Sequence, residues 1–183
     1  GSGVVHMVGG VAGLSACVFV GPRIGRFESE EYEQVEVADT ELTHRKKTTL
    51  EIDTKKEFKA NYIPFCILGT LMLWFCWYGF NCGSTITIVG DNSDLIGKIG
   101  MNTSISAAIS GLTCFIFNYI VTVYNKNGDD ESYEVYSVGH LCNGILAGLV
   151  GITAGCDVVE SWAAFVIGII SCFIYLFYSW LLT

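Results

Sequence analysis

The sequence predicts an all-α protein, a polytopic transmembrane helical bundle. The chain of 183 residues is 51% hydrophobic and only 15% charged, with a positive mean hydropathy. Its charges are segregated. Most of the ten Lys and Arg residues fall between Arg23 and Lys59, and long tracts carry none. Those uncharged tracts reach the about 18 or more residues that a hydrocarbon core of roughly 30 Å requires. In such a core each helix satisfies its own backbone, so separate helical spans are the expected solution.

Five spans are predicted, at about 1–20, 62–82, 99–123, 138–156 and 161–182. The first is uncharged and carries Gly9, Gly10 and Gly13. The third carries Ala107, Ala108 and Gly111, and the fourth Gly144, Gly148 and Gly151. Small residues at such spacing let helices approach closely in lipid, and tight packing explains nearly all of them. The fifth span is rich in Ile, Phe and Leu and is expected to face lipid, with Tyr178 and Trp180 at an interfacial belt. The run opens at Gly1 and stops at Thr183 without polar caps. Residues 1–183 therefore read as a partial domain, an internal fragment.

The segment 21–61 is the one long polar loop. Its Lys and Arg residues place it on the cytoplasmic side. It includes a short amphipathic piece near 50–58, a solvated His44 and the charge run Arg45-Lys46-Lys47. The loop at about 83–98 is then external and the one at about 124–137 internal.

Several function classes are excluded. The net charge of −8 comes mostly from loops, and no basic face is interleaved with stacking aromatics, so no nucleic-acid partner is expected. The eight cysteines lie mainly in or at the ends of apolar runs, with no CxxC pair and no zinc-like spacing. They read as small packing residues, with no metal and no cofactor. Cys82 and Cys156 lie near one membrane surface, which leaves a disulfide between them open. No nucleophile–base pair or phosphate loop is present, so the chain is not expected to be an enzyme. Asn102-Thr103-Ser104 fits a glycosylation sequon, but its place at the start of a span argues against modification.

The densest chemistry lies in residues 69–85, GTLMLWFCWYGFNCGST. Trp74, Phe75, Trp77, Tyr78 and Phe80 crowd together, and Asn81, Ser84 and Thr85 follow. Ring faces attract a cation, by about 2 kcal/mol when desolvated. A hydroxyl can accept a hydrogen bond from an N–H donor. Leu73, Trp77, Phe80 and Ser84 fall on one helical stripe at spacings of three and four. The stripe reads either as aromatic packing or as a graded path for a polar or cationic species.

His6 lies in the first span among apolar residues. Ionisable groups there are costly and usually face the bundle interior. Imidazole is the least costly, because it stays neutral and still donates and accepts hydrogen bonds. A structural and a functional histidine both remain open on this ground. His140, at the start of the fourth span, reads as structural.

Four ordered blocks add a resemblance. GSGVVHMVGGVAGL at 1–14, GPRIGRF at 21–27, GTLMLWFCWYGFNCGS at 69–84 and CNGILAGLVGITAGC at 142–156 resemble the ammonium transporter (Amt/Mep/Rh) family. Their wording is most similar to its eukaryotic, plant-type branch. The resemblance implies that the five spans correspond to the fifth to ninth of eleven in a bundle with an internal inverted repeat. It implies a homotrimer in the plasma membrane with one pore per subunit. His6 then matches the first of two pore histidines, and Phe80 one of two stacked phenylalanines at the outer mouth. Ser84 matches a hydroxyl of the external recruitment site, while Trp77 and Leu73 match pore-lining positions. For Asn81 and Gly79, packing or helix termination is sufficient.

The second histidine, the partner phenylalanine, the recruitment-site tryptophan and an aspartate expected just before Gly1 have no match. The chain by itself is therefore not expected to form a working pore. The implied function is ammonium transport: recruitment outside, deprotonation, and passage as ammonia with or without the proton. Methylammonium is the implied analogue substrate. The alternatives are a neutral gas channel of Rh type and an ammonium sensor signalling through the cytoplasmic loop.

Overall fold

The computed structural model describes residues 2–22, 62–87, 90, 92–125 and 137–181. The predicted features of the long polar loop beyond residue 22 lie outside these residues, as does most of the acidic loop before Ser137. The chain divides into two compact units, residues 1–7 with 62–183 and residues 8–61.

The described residues form five α-helices and no strand. They are α1 Ser2–Val20, α2 Ile63–Gly83, α3 Asn92–Asn125, α4 Val138–Ile152 and α5 Ser161–Leu181. The all-α class is as predicted. All but α4 are long and apolar enough to cross a membrane.

Local chemistry sets the helix ends. Gly21 takes a positive φ of 72°, and its N–H donates to the Cys17 carbonyl at 3.0 Å. Glycine makes this left-handed closure without a Cβ clash, and Pro22 cannot donate to continue the helix. Before α2, Tyr62 is extended and Pro64 sits in the first turn, where its missing N–H costs nothing. At α4 the Ser137 hydroxyl caps the helix, accepting from the His140 backbone N–H. The His140 ring Nδ1 lies 2.9 Å from the same hydroxyl.

Two boundaries differ from the prediction. Helix α3 begins at Asn92 rather than near 99, within the stretch predicted as loop. Apolarity marks where lipid begins, not where helix begins. Residues 92–98 include Asn92, Ser93, Asp94 and Lys98 yet are helical, with Asp94 favourably placed in the first turn. Helix α4 stops at Ile152 rather than near 156. The chain then forms turns in which the Gly155 N–H donates to the Ile152 carbonyl and that of Val158 to Gly155. Asn102 of α3 explains the change: its Nδ2 donates to the carbonyls of Cys156 at 3.0 Å and Val159 at 2.8 Å. The sequon-matching asparagine is a fully buried strap.

The core lies where α3, α4 and α5 meet, and it is built from small residues. A Cβ at Gly148 of α4 would lie 2.5 Å from the Ser106 carbonyl oxygen of α3. One at Gly168 of α5 would lie 2.7 Å from that same oxygen. Ser106 Oγ in turn donates to the Gly148 carbonyl at 2.9 Å. Both helices thus close on one point of the α3 backbone, as small residues in membrane helices permit.

Ala107, Ser110, Leu149 and Ala164 are fully buried around this point. On α5 the buried stripe is Ala164, Gly168, Ser171 and Cys172, while Phe173, Ile174 and Phe177 are exposed. All eight cysteines are free. The Cys82 thiol donates to the Ile96 carbonyl and the Cys156 thiol to the Thr153 carbonyl, so no disulfide joins them.

Candidate functional site

One wall of the candidate site is α2. Its aromatic residues are held by hydrogen bonds to α3 and to the turn after α4. Trp77 Nε1 donates to Thr153 Oγ1 at 2.8 Å. Thr153 Oγ1 donates its own hydrogen to the Leu149 carbonyl at 2.6 Å, so the indole is the donor in the pair. Ser104 Oγ likewise donates to the Gly100 carbonyl at 2.7 Å, so the Tyr78 hydroxyl, 2.8 Å away, donates to Ser104. Asn81 is buried and its Nδ2 donates to Thr103 Oγ1 at 3.0 Å. Three polar side chains within little more than one turn therefore fix how α2 rotates about its axis.

That rotation directs Trp77 and Phe80 toward His6. The His6 ring stacks on Trp77 with centroids 5.4 Å apart and planes 15° apart. It meets Phe80 edge-on at 5.7 Å and 85°. Trp77 and Phe80 are themselves edge-to-face at 6.3 Å. These are favourable aromatic geometries. Ser84 Oγ donates to the Phe80 carbonyl at 2.6 Å, which leaves its lone pairs available to accept from an outside donor. Leu73 lies one turn below Trp77, half-exposed, and does not join the ring cluster. The structure thus brings together His6, Trp77 and Phe80, with Ser84 one turn beyond.

Beside this cluster is a cavity of about 410 Å³. Phe80, Ser84 and Thr85 line it from α2 and the turn that follows, and Thr153 and Asp157 from the turn after α4. Sequence reasoning missed Thr153 and Asp157. Thr153 lies inside the resembling block at 142–156, but nothing in its local sequence ties it to an indole far along the chain. Asp157 falls just past the end of that block, in a short segment between spans that also holds Glu160, and such acids read as solvated.

A model of the Ammonium Transporter Family matches residues 1–43 and 37–183. The chain belongs to the ammonium transporter family. This is a family of transporters, not of enzymes, and the spanning helices make the chain an integral membrane protein. The chain is 36% identical over 183 residues to ammonium transporter 1 member 1 of Oryza sativa subsp. japonica, covering 95% of this chain and 30% of that protein. It is 38% identical over 172 residues to a putative ammonium transporter of Synechocystis, covering 93% of this chain and 32% of that one. It is also similar to the crystal structure of Candida albicans Mep2, with 33% identity, a TM-score of 0.53, and coverage of 63% of this chain and 22% of that chain. The chain spans about a third or less of the length of these curated relatives.

Proposed function

We propose that the full chain moves ammonium across a membrane, and that His6, Trp77, Phe80 and Ser84 form one wall of its path. A bare ammonium ion in an apolar passage carries an idealised Born cost on the order of tens of kcal/mol. A transporter lowers this cost by meeting the ion where water still reaches it and passing a neutral species inward. The arrangement suits both steps. The cavity offers ring surface at Phe80 and a hydroxyl acceptor at Ser84, where a hydrated cation is recruited and gives up its proton to the water that still reaches it. Ammonia then passes Phe80 and meets His6, whose ring is held between Trp77 and Phe80. Leu73 continues the same stripe of α2 toward the other membrane face.

The Lys and Arg residues of 23–59 support an outer position for the cavity, because that segment precedes the start of α2 in the chain and the cavity lies at the end of α2. By family membership we assign the full protein to a homotrimer in the plasma membrane, with ammonium as substrate and methylammonium as its analogue.

The observation that carries this reading is the stacking of an intramembrane histidine on an indole pinned by Thr153. A histidine serving only as packing does not require its neighbour to be fixed by a hydrogen bond to a residue far along the chain. The test is ammonium and methylammonium uptake by the full chain in cells lacking their own uptake, with membrane current recorded. Saturable uptake is expected, and absence of uptake in cells with the protein in their membrane overturns the reading. Current accompanying uptake shows that the proton follows; uptake without current shows conduction as neutral ammonia.

A further inference from the structure

The cavity beside Phe80 carries one feature that the transport wall does not use. Asp157 lines it from the turn after α4, and it is the one charged side chain in that lining. The neutral polar groups around it have already committed their hydrogens. Ser84 Oγ donates to the Phe80 carbonyl and Thr153 Oγ1 to the Leu149 carbonyl. Thr85 Oγ1 lies 2.9 Å from the Cys82 carbonyl and 3.1 Å from that of Thr87. The buried Asn81 directs its amide to Thr103. The hydroxyls of the cavity therefore present oxygen acceptors beside a carboxylate, which suits a ligand made of N–H donors and a positive charge.

The nearby charges leave Asp157 in command of the local field. Lys98 of α3 and Glu160 just before α5 form an ion pair at 2.8 Å, the one such pair among the described residues. Lys98 is thereby directed to Glu160 and its charge is largely cancelled there. Asp94, in the first turn of α3, adds a further negative charge at this end of the bundle. Asp157 is exposed, so it carries its charge without the desolvation cost that burial imposes.

We infer that Asp157 is a recruiting residue of the outer cavity, raising the local concentration of small monovalent N–H cations beside Ser84 and Phe80. This rests on the transport reading above. An exposed carboxylate within a few ångström of such a cation raises its occupancy by about three- to tenfold, and the effect shrinks as salt shortens the Debye length. Its signature is therefore in the apparent KM and its salt dependence rather than in the maximal rate.

The experiment is methylammonium uptake by the full chain, normalised to protein in the membrane, for wild type, Asp157→Asn, Asp157→Ser and Asp157→Glu at low and high ionic strength. At low ionic strength both neutral variants are expected to raise the apparent KM about three- to tenfold with the maximal rate retained. Asp157→Glu is expected to restore the wild-type KM, and high ionic strength to narrow the gap. An unchanged KM in both neutral variants overturns the inference while leaving the transport reading standing. So does a KM change that Asp157→Glu fails to rescue or that salt does not diminish. Absence of wild-type uptake is a distinct outcome: it overturns the transport reading and the recruiting role with it.

Discussion

Two regions of the same bundle solve opposite problems. Where α3, α4 and α5 meet, side chains are reduced until backbones touch: Gly148 and Gly168 both close on the Ser106 carbonyl. On α2 the side chains are large, and three polar ones are tied to partners, Trp77 to Thr153, Tyr78 to Ser104 and Asn81 to Thr103, while the buried Trp74 Nε1 has no hydrogen-bond partner among the described residues. The first region closes by shape, with the Ser106 hydroxyl donating to the Gly148 carbonyl across the contact. The second holds bulky rings in chosen orientations while leaving one surface open, with Phe80 still 39% exposed. In a membrane, where apolar burial gives little drive for helix association, close packing and interhelical hydrogen bonds share that task. Here the small-residue core uses both, whereas α2 is held by hydrogen bonds from large side chains and carries the candidate site.

Substitutions on each side sharpen this contrast. The largest effect is expected in the small-residue knot. Gly148→Leu forces its side chain against the Ser106 carbonyl and is expected to cost about 3 kcal/mol or more, read as loss of folded protein in detergent. A Gly148→Leu protein with wild-type thermal stability breaks the comparison at its root. Next is the strap between the regions. Asn102→Ala frees the carbonyls of Cys156 and Val159 and is expected to cost about 1–3 kcal/mol, seen as a lower Tm and as protease access to the turn after α4. Smaller still is Trp77→Phe, which keeps the ring over His6 but loses the bond to Thr153. It is expected to cost about 1 kcal/mol with a measurable change in uptake. The smallest effect has the opposite sign. Ile86 follows the cavity with a positive φ of 67°, a conformation that costs an L-residue roughly 1–2 kcal/mol. Ile86→Gly is expected to raise Tm slightly.

The two regions were unequally legible in the sequence. The glycine and alanine spacings on α3 and α4 announced close packing, and the structure puts Gly144 and Gly148 against α3. On α5 the same device was hidden. Ala164, Gly168, Ser171 and Cys172 are spread among large Ile and Phe residues, so mean composition pointed to lipid although one face is buried. The α2 stripe was legible as a spacing, and so was His6 as an ionisable residue in an apolar run. Their meeting was not, because a stack between α1 and α2 depends on rotation of both helices. That rotation is set in part by Thr153 and Thr103, whose partners lie far along the chain. Helix and expected span part at two ends: residues 92–98 carry Asn92, Ser93, Asp94 and Lys98 yet are helical, and residues 153–156 lie in turns tied to Asn102 through the Cys156 carbonyl.

The central claim is that the ring cluster serves transport rather than packing, and His6 tests it most directly. Methylammonium uptake by the full chain carrying His6→Ala should be measured per molecule in the membrane, beside its thermal unfolding. Uptake is expected to fall at least about tenfold, equivalent to about 1.4 kcal/mol, with Tm near that of the wild type. Uptake at the wild-type rate would contradict the role assigned to His6 and return the cluster to packing.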